Sequence, residues 1–215
     1  MLERASSPAF AHGLVRAAVL ALLVVFLVLR LGQYHLYFFK PLWAVESLIY
    51  AMFIVAYSVR DNPKDRSRGV REIIVPLVGA MLPFGLLASR QNPWIALHPA
   101  ALYAIFSSMT VFTAFTIWGM WALRSSFSIT VEARKFVRRG PYHYVRHPIY
   151  LGEMCAAAAV AIWRVSAANA VLLCLFLAIQ LLRARMEEEK LAAVFPQYTP
   201  YAAGTWWLYS PKKRV

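Results

Sequence analysis

The sequence predicts an all-α protein, a polytopic membrane helix bundle with four spanning helices and a C-terminal helical hairpin. The first observation is composition, since 60% of the 215 residues are hydrophobic and only 15% are charged. A soluble domain has about 45–50% apolar and about 25% charged residues. The second observation is that the apolar residues form runs long enough to cross a bilayer. The third is a net charge of +13, concentrated in loops between these runs.

Four apolar runs predict the spanning helices. They are residues 13–31, 41–59, 73–88 and 98–123. The third run contains Pro76 and Pro83, which membrane helices tolerate when neighbouring groups satisfy the freed carbonyls. The fourth run is the longest and can span with tilt. We therefore expect an N-terminal transmembrane region over residues 1–123.

Lysine and arginine residues predict the orientation of these helices. Five of them lie in the stretch 60–71 and six in the stretch 124–146, whereas the alternate loops hold little more than Lys40 and Arg90. Cytoplasmic loops carry this excess of positive charge, so we expect both termini and the 124–150 region to face the cytoplasm. Basic loops between apolar runs also fit anionic membrane lipids better than nucleic acid as partners.

A helical hairpin is expected over residues 149–182, which are apolar except near 164–169. Each arm would have only about 13–15 residues, which is short for a full span. The second arm is expected to return to the cytoplasmic side at Arg183. The tail beyond it is expected to be a short amphipathic end with the interfacial anchors Trp206, Trp207 and Tyr209.

Polar residues cluster at the two ends of this hairpin. The first cluster is the run RRGPYHYVRHPIYLGE at 138–153, and the second is RARMEEE at 183–189. Two glycine-proline or histidine-proline steps shape the first run into a loop, because each proline fixes its own backbone and restricts the residue before it. A hairpin brings its ends together, so we expect the two clusters to face each other.

The residue types in these clusters suit a ligand that carries both signs of charge. Carboxylates and tyrosine rings favour a cation, and Gly152 permits close approach to the backbone. Arginine and histidine can hold a carboxylate or a ribose hydroxyl. S-adenosylmethionine (SAM) has a sulfonium, an ammonium, a carboxylate and a ribose, although other nucleotide ligands also fit. The two cysteines show no metal-ligand spacing, so we predict no metal site.

The motif GPYHYVRHPIYLGE, followed by the EE pair and LAAVFPQYTPYA, resembles the isoprenylcysteine carboxyl methyltransferase and phospholipid methyltransferase group. These are integral membrane enzymes that use SAM. The shared patterns are GPY-x-x-x-RHP-x-Y-x-G and R-x-R-x-E-E-x-x-L with F and Y residues behind. They occur here at Gly140, Pro141, Tyr142, Arg146, His147, Pro148, Tyr150 and Gly152, and then at Arg183, Arg185, Glu187, Glu188, Leu191, Phe195, Tyr198 and Tyr201.

The resemblance implies that residues 124–215 form the catalytic region, with the cofactor pocket on the cytoplasmic side. The residues expected to bind SAM are Tyr142, His147, Pro148, Tyr150, Gly152, Glu187 and Glu188. It also implies that Arg183 and Glu188 lie where the reacting group is oriented. Methyl transfer requires in-line positioning and exclusion of water. Arg183 or Arg146 can hold a carboxylate acceptor, and Glu188 can take the proton of an amine acceptor.

The sequence thus predicts a SAM-dependent methyltransferase acting on a lipophilic or lipidated substrate, such as an isoprenylcysteine carboxylate or a phospholipid amine. An alternative is an NADPH-dependent sterol-type membrane reductase, since those proteins also carry RHP-x-Y-x-G-E/D and Glu153 matches this variant. Their tails resemble KYG-x-x-W-x-x-Y, whereas this chain has EEEKLAAVFPQY. A non-catalytic membrane scaffold is a third possibility, but unused polar groups at membrane depth cost free energy.

Overall fold

The computed structural model of the chain describes residues 8–59, 63–67 and 69–206, and for residues 8–16 and 18 it describes the backbone alone. Helix makes up 77% of the structure, and the described residues contain no β-strand. The prediction of an all-α protein is therefore confirmed.

Eight α-helices follow one another along the described part of the chain. They are α1 (Pro8–Gly32), α2 (Lys40–Ser58), α3 (Arg71–Gly85), α4 (Pro93–Leu97), α5 (Pro99–Leu123), α6 (Pro148–Trp163), α7 (Ala167–Val194) and α8 (Tyr198–Gly204). Single 3₁₀ turns lie at Tyr34–Leu36, Leu86–Ala88, Arg124–Ser126 and Gly140–His143. The main apolar core is formed where α2, α5, α6 and α7 pack together.

Four of the described helical segments are long and apolar enough to cross a membrane. They are Lys40–Ser58, Arg71–Ala88, Pro99–Ser126 and Ala167–Val194. The predicted runs 41–59, 73–88 and 98–123 coincide with the first three, and α3 stays helical through both of its prolines. The predicted run 13–31 is helical within α1, but its described apolar part, Val19–Gly32, is shorter than a span.

The hairpin differs from the predicted pair of short arms. Helix α6 has 16 residues, whereas α7 has 28 and can span a membrane. The prediction ended the second arm at Arg183 because it took the charged residues as the end of the helix. Arginine, glutamate, lysine and methionine are strong helix formers, and Arg185 pairs with Glu189 one turn later. The acidic cluster therefore lies on a continuous helix rather than in a loop.

Polar contacts close one end of the bundle around Asn169, which is 1% exposed. Its Nδ2 donates to Leu86 O at 3.0 Å, Ser89 Oγ at 2.7 Å and Arg164 O at 2.6 Å. Ser166 Oγ accepts from Asn169 N at 3.1 Å and caps α7. These contacts join the tip of the hairpin to the segment that follows α3.

At the opposite end, Lys190 of α7 joins three segments. This buried lysine donates from Nζ to Arg66 O at 2.8 Å, to Val131 O at 3.1 Å and to Glu72 Oε2 at 2.5 Å. Buried charges are tolerated only when paired and hydrogen-bonded, as this one is. The stretch 63–67, the start of α3 and the stretch 129–133 therefore meet the end of α7 at one place.

The two basic stretches predicted to share one side of the membrane lie at this same end of the bundle. That the end faces the cytoplasm stays a prediction based on charge. Arg60 and Arg68 lie outside the described residues, as do Trp207 and Tyr209 of the predicted amphipathic tail.

Glycines bring α5 and α6 into direct contact. A Cβ on Gly152 would lie 2.2 Å from Thr116 Oγ1 and 2.8 Å from Phe112 O, and a Cβ on Gly119 would lie 2.8 Å from Ile149 Cγ1. Side chains do not fit at such distances, so the two backbones approach this closely only because both positions are glycine. The contact fixes the first turns of α6, and with them the histidine-proline step, against α5.

Replacing Gly152 by alanine is expected to lower the free energy of unfolding by about 1–3 kcal/mol, because the added Cβ forces α5 and α6 apart. Thermal unfolding of the purified protein in detergent, followed by helical circular dichroism, measures this change. Gly32→Ala is the matched control, since nothing lies within 4 Å of a Cβ at the end of α1. Equal stability of the two variants would contradict the close α5–α6 contact.

Candidate active site

The two polar clusters meet between the start of α6 and the last turns of α7. Arg146 Nη1 donates to Glu188 at 3.1 Å, and His147 Nε2 lies 3.0 Å from Glu188 Oε1. The Tyr150 hydroxyl donates to the Glu187 carboxylate. Arg146, His147 and Glu188 are all buried. The expectation that the clusters face each other is confirmed by these contacts.

The histidine-proline step explains how α6 presents its residues. Pro148 occupies the first position of the helix, where its missing N–H costs nothing. His147 precedes it with a non-helical backbone, so Arg146 stands outside the helix while Tyr150 lies within its first turn. The rings of His147 and Tyr150 stack nearly parallel, with centroids 5.5 Å apart and an interplanar angle of 3°. The stack holds both side chains in place.

The adjacent acidic residues of α7 divide between two partners. Successive helix positions differ by about 100° around the axis, so Glu187 and Glu188 diverge. Glu188 accepts from Arg146, whereas Glu187 accepts from Tyr150. Glu189 points away, pairs with Arg185 and is 67% exposed. Glu187 and Glu188 therefore belong to the cluster, whereas Glu189 lies outside it.

Arg183 lies one helical turn before Glu187 and belongs to the same cluster. Its guanidinium carbon is 4.6 Å from the centroid of the Tyr150 ring, and its Nη1 donates to Gln180 Oε1 at 2.7 Å. Gln180 Nε2 in turn donates to Glu153 Oε2 at 2.5 Å. Glu153, which matches the reductase variant of the motif, therefore has a structural role in holding Arg183 through Gln180.

Gln180 is a site residue that the sequence analysis missed. It is 0% exposed although it is polar, and it lies in the run that we interpreted as the apolar second arm. The sequence did contain an indication of this role, because a glutamine in a membrane helix, here three residues before Arg183, needs a polar partner. Its significance depended on knowing that α7 continues as one helix past Arg183.

Tyrosines from the tail cover the cluster on another side. The Tyr201 hydroxyl donates to Tyr142 O at 2.6 Å. The hydroxyl of Tyr198 is buried and has no hydrogen-bond partner among the described residues. Burial, followed by the charge of Glu188, raises the pKa of Tyr198, so the phenol keeps its proton and remains a donor.

Two of the predicted cofactor-binding residues face α5 rather than the charged cluster. The position of a Cβ on Gly152 falls against Thr116, and Pro148 Cγ lies 3.5 Å from that of a Cβ on Gly119. Helix packing therefore explains Gly152 and the burial of Pro148, and their contact with a cofactor stays a prediction. Tyr142, His147, Tyr150, Glu187 and Glu188 lie at the charged cluster, and their contact with a cofactor also stays a prediction.

The cluster offers a ligand both signs of charge and unused donors. Three carboxylates (Glu153, Glu187 and Glu188) lie beside the guanidinium groups of Arg146 and Arg183. Arg183 Nε has no partner among the described residues, as is true of the Tyr198 hydroxyl. Each unsatisfied buried donor costs about 1–3 kcal/mol. A zwitterionic ligand with hydroxyl groups, such as SAM, matches both the charges and the donors.

Comparison with protein families adds independent information on this region. The model of the phospholipid methyltransferase family matches residues 95–198, just under half of the chain. The comparisons with curated proteins and with solved structures give no match. The matched segment extends from α4 to the first residue of α8 and includes both polar clusters. It confirms the resemblance carried by the motifs, because residues 95–198 match the model of the phospholipid methyltransferase family.

Proposed function

We propose that this protein is an integral membrane methyltransferase that transfers a methyl group from SAM to a lipophilic acceptor. The observation that carries the proposal is the buried contact of Arg146 and His147 with Glu188, made within the segment that matches the model of the phospholipid methyltransferase family. Two charged groups from distant parts of the sequence are brought together there at a cost in desolvation. A ligand site explains why such groups are kept.

The residues of the cluster fit the separate parts of SAM. Glu187 and Glu188 would hold its positive groups, assisted by the rings of Tyr142 and Tyr150. Arg146 would hold its carboxylate, and the Tyr198 hydroxyl would donate to a ribose oxygen. When bound, SAM supplies an electrophilic methyl group on a sulfonium.

The side chains of the protein itself position the acceptor and exclude water from the site. Glu188 fixes Arg146 and His147, while Gln180 and the Tyr150 ring fix Arg183. A fixed guanidinium can hold an acceptor carboxylate in line with the methyl group. For an amine acceptor, Glu188 is the carboxylate that can take the proton. Burial of these side chains keeps water from competing with the acceptor.

The acceptor is proposed to reach the site from the bilayer, because the cluster lies at one end of helices that can span a membrane. By the positive-inside rule this end is proposed to face the cytoplasm. Carboxylates of isoprenylcysteine and amines of phospholipids are both candidates. Mass spectrometry of lipid extracts with and without the active protein identifies the acceptor through a gain of one methylene unit.

Glu188→Gln is expected to weaken SAM binding by about tenfold or more, since a hydrogen bond to a charged group contributes about 1.5–3 kcal/mol. Isothermal titration of SAM, or of its demethylated product, into purified protein measures the dissociation constant. The amide keeps the shape of the side chain, so loss of binding reports on charge.

Glu189→Gln is the matched control, because Glu189 lies on the same helix and is 67% exposed. It should bind SAM as the unmodified protein does. No heat with the unmodified protein, combined with stabilisation by NADPH, would instead favour a reductase. Equal SAM affinity in Glu188→Gln and Glu189→Gln would refute the assigned site.

Tyr198→Phe and Tyr201→Phe are expected to have opposite effects. Tyr198→Phe removes a hydroxyl without a partner among the described residues, so stability should be kept while SAM affinity falls by about three- to tenfold. Tyr201→Phe removes the bond to Tyr142 O and should lower the melting temperature with a smaller effect on affinity. Thermal unfolding and titration on the same samples separate the two, and an unchanged SAM affinity in Tyr198→Phe would exclude that hydroxyl from the site.

A further inference from the structure

A polar cavity of about 600 Å³ lies where α5 ends, outside the candidate active site. Its lining includes the hydroxyl-bearing Ser125 and Ser126 and the cationic Lys135, Arg138 and Arg139, with Phe136 as part of its apolar wall. None of the described residues that line it carries a carboxylate. Hydroxyl and guanidinium donors in one cavity are the groups that bind phosphate oxygens.

The cavity is held in shape by contacts between the 135–140 stretch and the end of α5. Arg139 Nε donates to Ala122 O at 3.1 Å. Gly140 has a φ of +61°, and a Cβ there would lie 3.2 Å from Ala122 Cβ. The glycine therefore provides both the left-handed backbone and the close approach that the stretch requires.

The charge balance of the cavity is positive. Among the described residues, no carboxylate forms an ion pair with Arg138 or Arg139, and Glu132, the nearest acidic residue in sequence, pairs with Arg134. The carboxyl end of α5 contributes about −0.5 of an elementary charge, part of which Arg139 offsets at Ala122 O. The two guanidinium groups of Arg138 and Arg139 outweigh this dipole, so an anion is the favoured occupant.

The position of the cavity suits the headgroup layer of a membrane. Trp118 and Trp121 are exposed near the end of the α5 span, and the guanidinium of Arg124 lies 5.4 Å from the Trp121 ring. Tryptophan is enriched at the boundary between hydrocarbon and headgroups. The cavity lies at the end of the candidate span Pro99–Ser126, which is where lipid phosphates are expected if this helix crosses a membrane.

One aromatic layer separates this cavity from the candidate active site. The ring of Phe136 contacts the rings of Tyr198 and Tyr201 edge-on, at centroid distances of 5.7 and 5.1 Å. The Arg138 guanidinium lies 5.7 Å from the Tyr201 ring. An anion bound here would therefore sit beside, and not within, the cluster around Glu188.

We propose that the cavity bounded by Ser126, Arg138 and Arg139 is a binding site for a phosphate group, presented by the headgroup of a membrane phospholipid. The inference goes beyond the proposed methyl transfer and does not depend on it. A soluble phosphate has the same chemistry, but the exposed Trp118 and Trp121 in the last turns of α5 favour the lipid source.

Isothermal titration of purified full-length protein in uncharged detergent tests the site with three probes. The probes are a short-chain phosphatidylglycerol below its micelle concentration, inorganic phosphate, and a neutral diacylglycerol with the same chains. We expect saturable binding of the phosphatidylglycerol, and at least tenfold weaker binding of the diacylglycerol because it has no anion for the guanidinium groups. Inorganic phosphate should compete at higher concentration.

Arg138→Gln/Arg139→Gln is expected to weaken phosphatidylglycerol binding by about tenfold. Ser126→Glu, which leaves both arginines in place and adds a repelling charge, should do the same. Arg66→Gln/Arg71→Gln is the matched control, since both arginines are exposed at the same end of the bundle and outside the cavity. Thermal unfolding of the same samples, followed by helical circular dichroism, verifies that the fold is intact.

Each result decides the proposal. Binding of phosphatidylglycerol that depends on Arg138 and Arg139 supports a lipid phosphate site. Binding of inorganic phosphate alone, with the same dependence, supports the anion site and overturns its lipid source. Equal binding by the cavity and control variants, or equal binding of the neutral diacylglycerol, overturns the proposal. If the unmodified protein did not bind SAM, that result would bear only on the proposed methyltransferase activity.

Discussion

The site depends on one buried contact across the hairpin, that of Glu188 with Arg146 and His147. Neither cluster alone would remain buried, because an unpaired charge in an apolar environment costs several kcal/mol. The pair is possible only because glycines seat α6 on α5 and because α7 stays helical through its charged residues. Packing of the helices therefore assembles the site as well as the fold, because the helices that form the bundle also supply both sides of the cluster.

Much of this arrangement could be predicted from sequence. Apolar runs located three of the four described segments that are long and apolar enough to span a membrane, and the RHP motif and the EE pair located the two sides of the cluster. The course of α7 could not be predicted in the same way. Charge normally ends a membrane helix, but the residues from Arg183 onward have high helix propensity and pair within the helix. A hydropathy pattern detects the charge, but it does not detect the helix propensity of these residues or their pairing within the helix.

Burial was the other quantity that the sequence did not provide. Gln180 and Tyr198 are ordinary residues in the sequence. They become informative only because Gln180 is completely buried in a network and the buried hydroxyl of Tyr198 has no hydrogen-bond partner in the described part of the chain. The opposite holds for Gly152, whose place in the motif suggested approach of a ligand. Its Cβ position is filled by Thr116, so a recurring glycine can mark where two helices touch.

The anchoring of α7 has a consequence for the entry and exit of ligands. Asn169 ties the first turn of this helix to the segment after α3, and Lys190 ties its last turns to three other segments. A helix restrained at both ends is a poor gate, because moving it breaks two networks at once. Among the described residues, the contacts on the α8 side include the hydrogen bonds of Tyr201 to Tyr142 O and of Arg146 N to Trp206 O at 3.4 Å, and ring contacts of Phe136 with Tyr198 and Tyr201, and none of these is an ion pair. Exchange of a ligand bound at the cluster around Glu188 would therefore require movement of α8, while Glu187 and Glu188 on α7 stay in place.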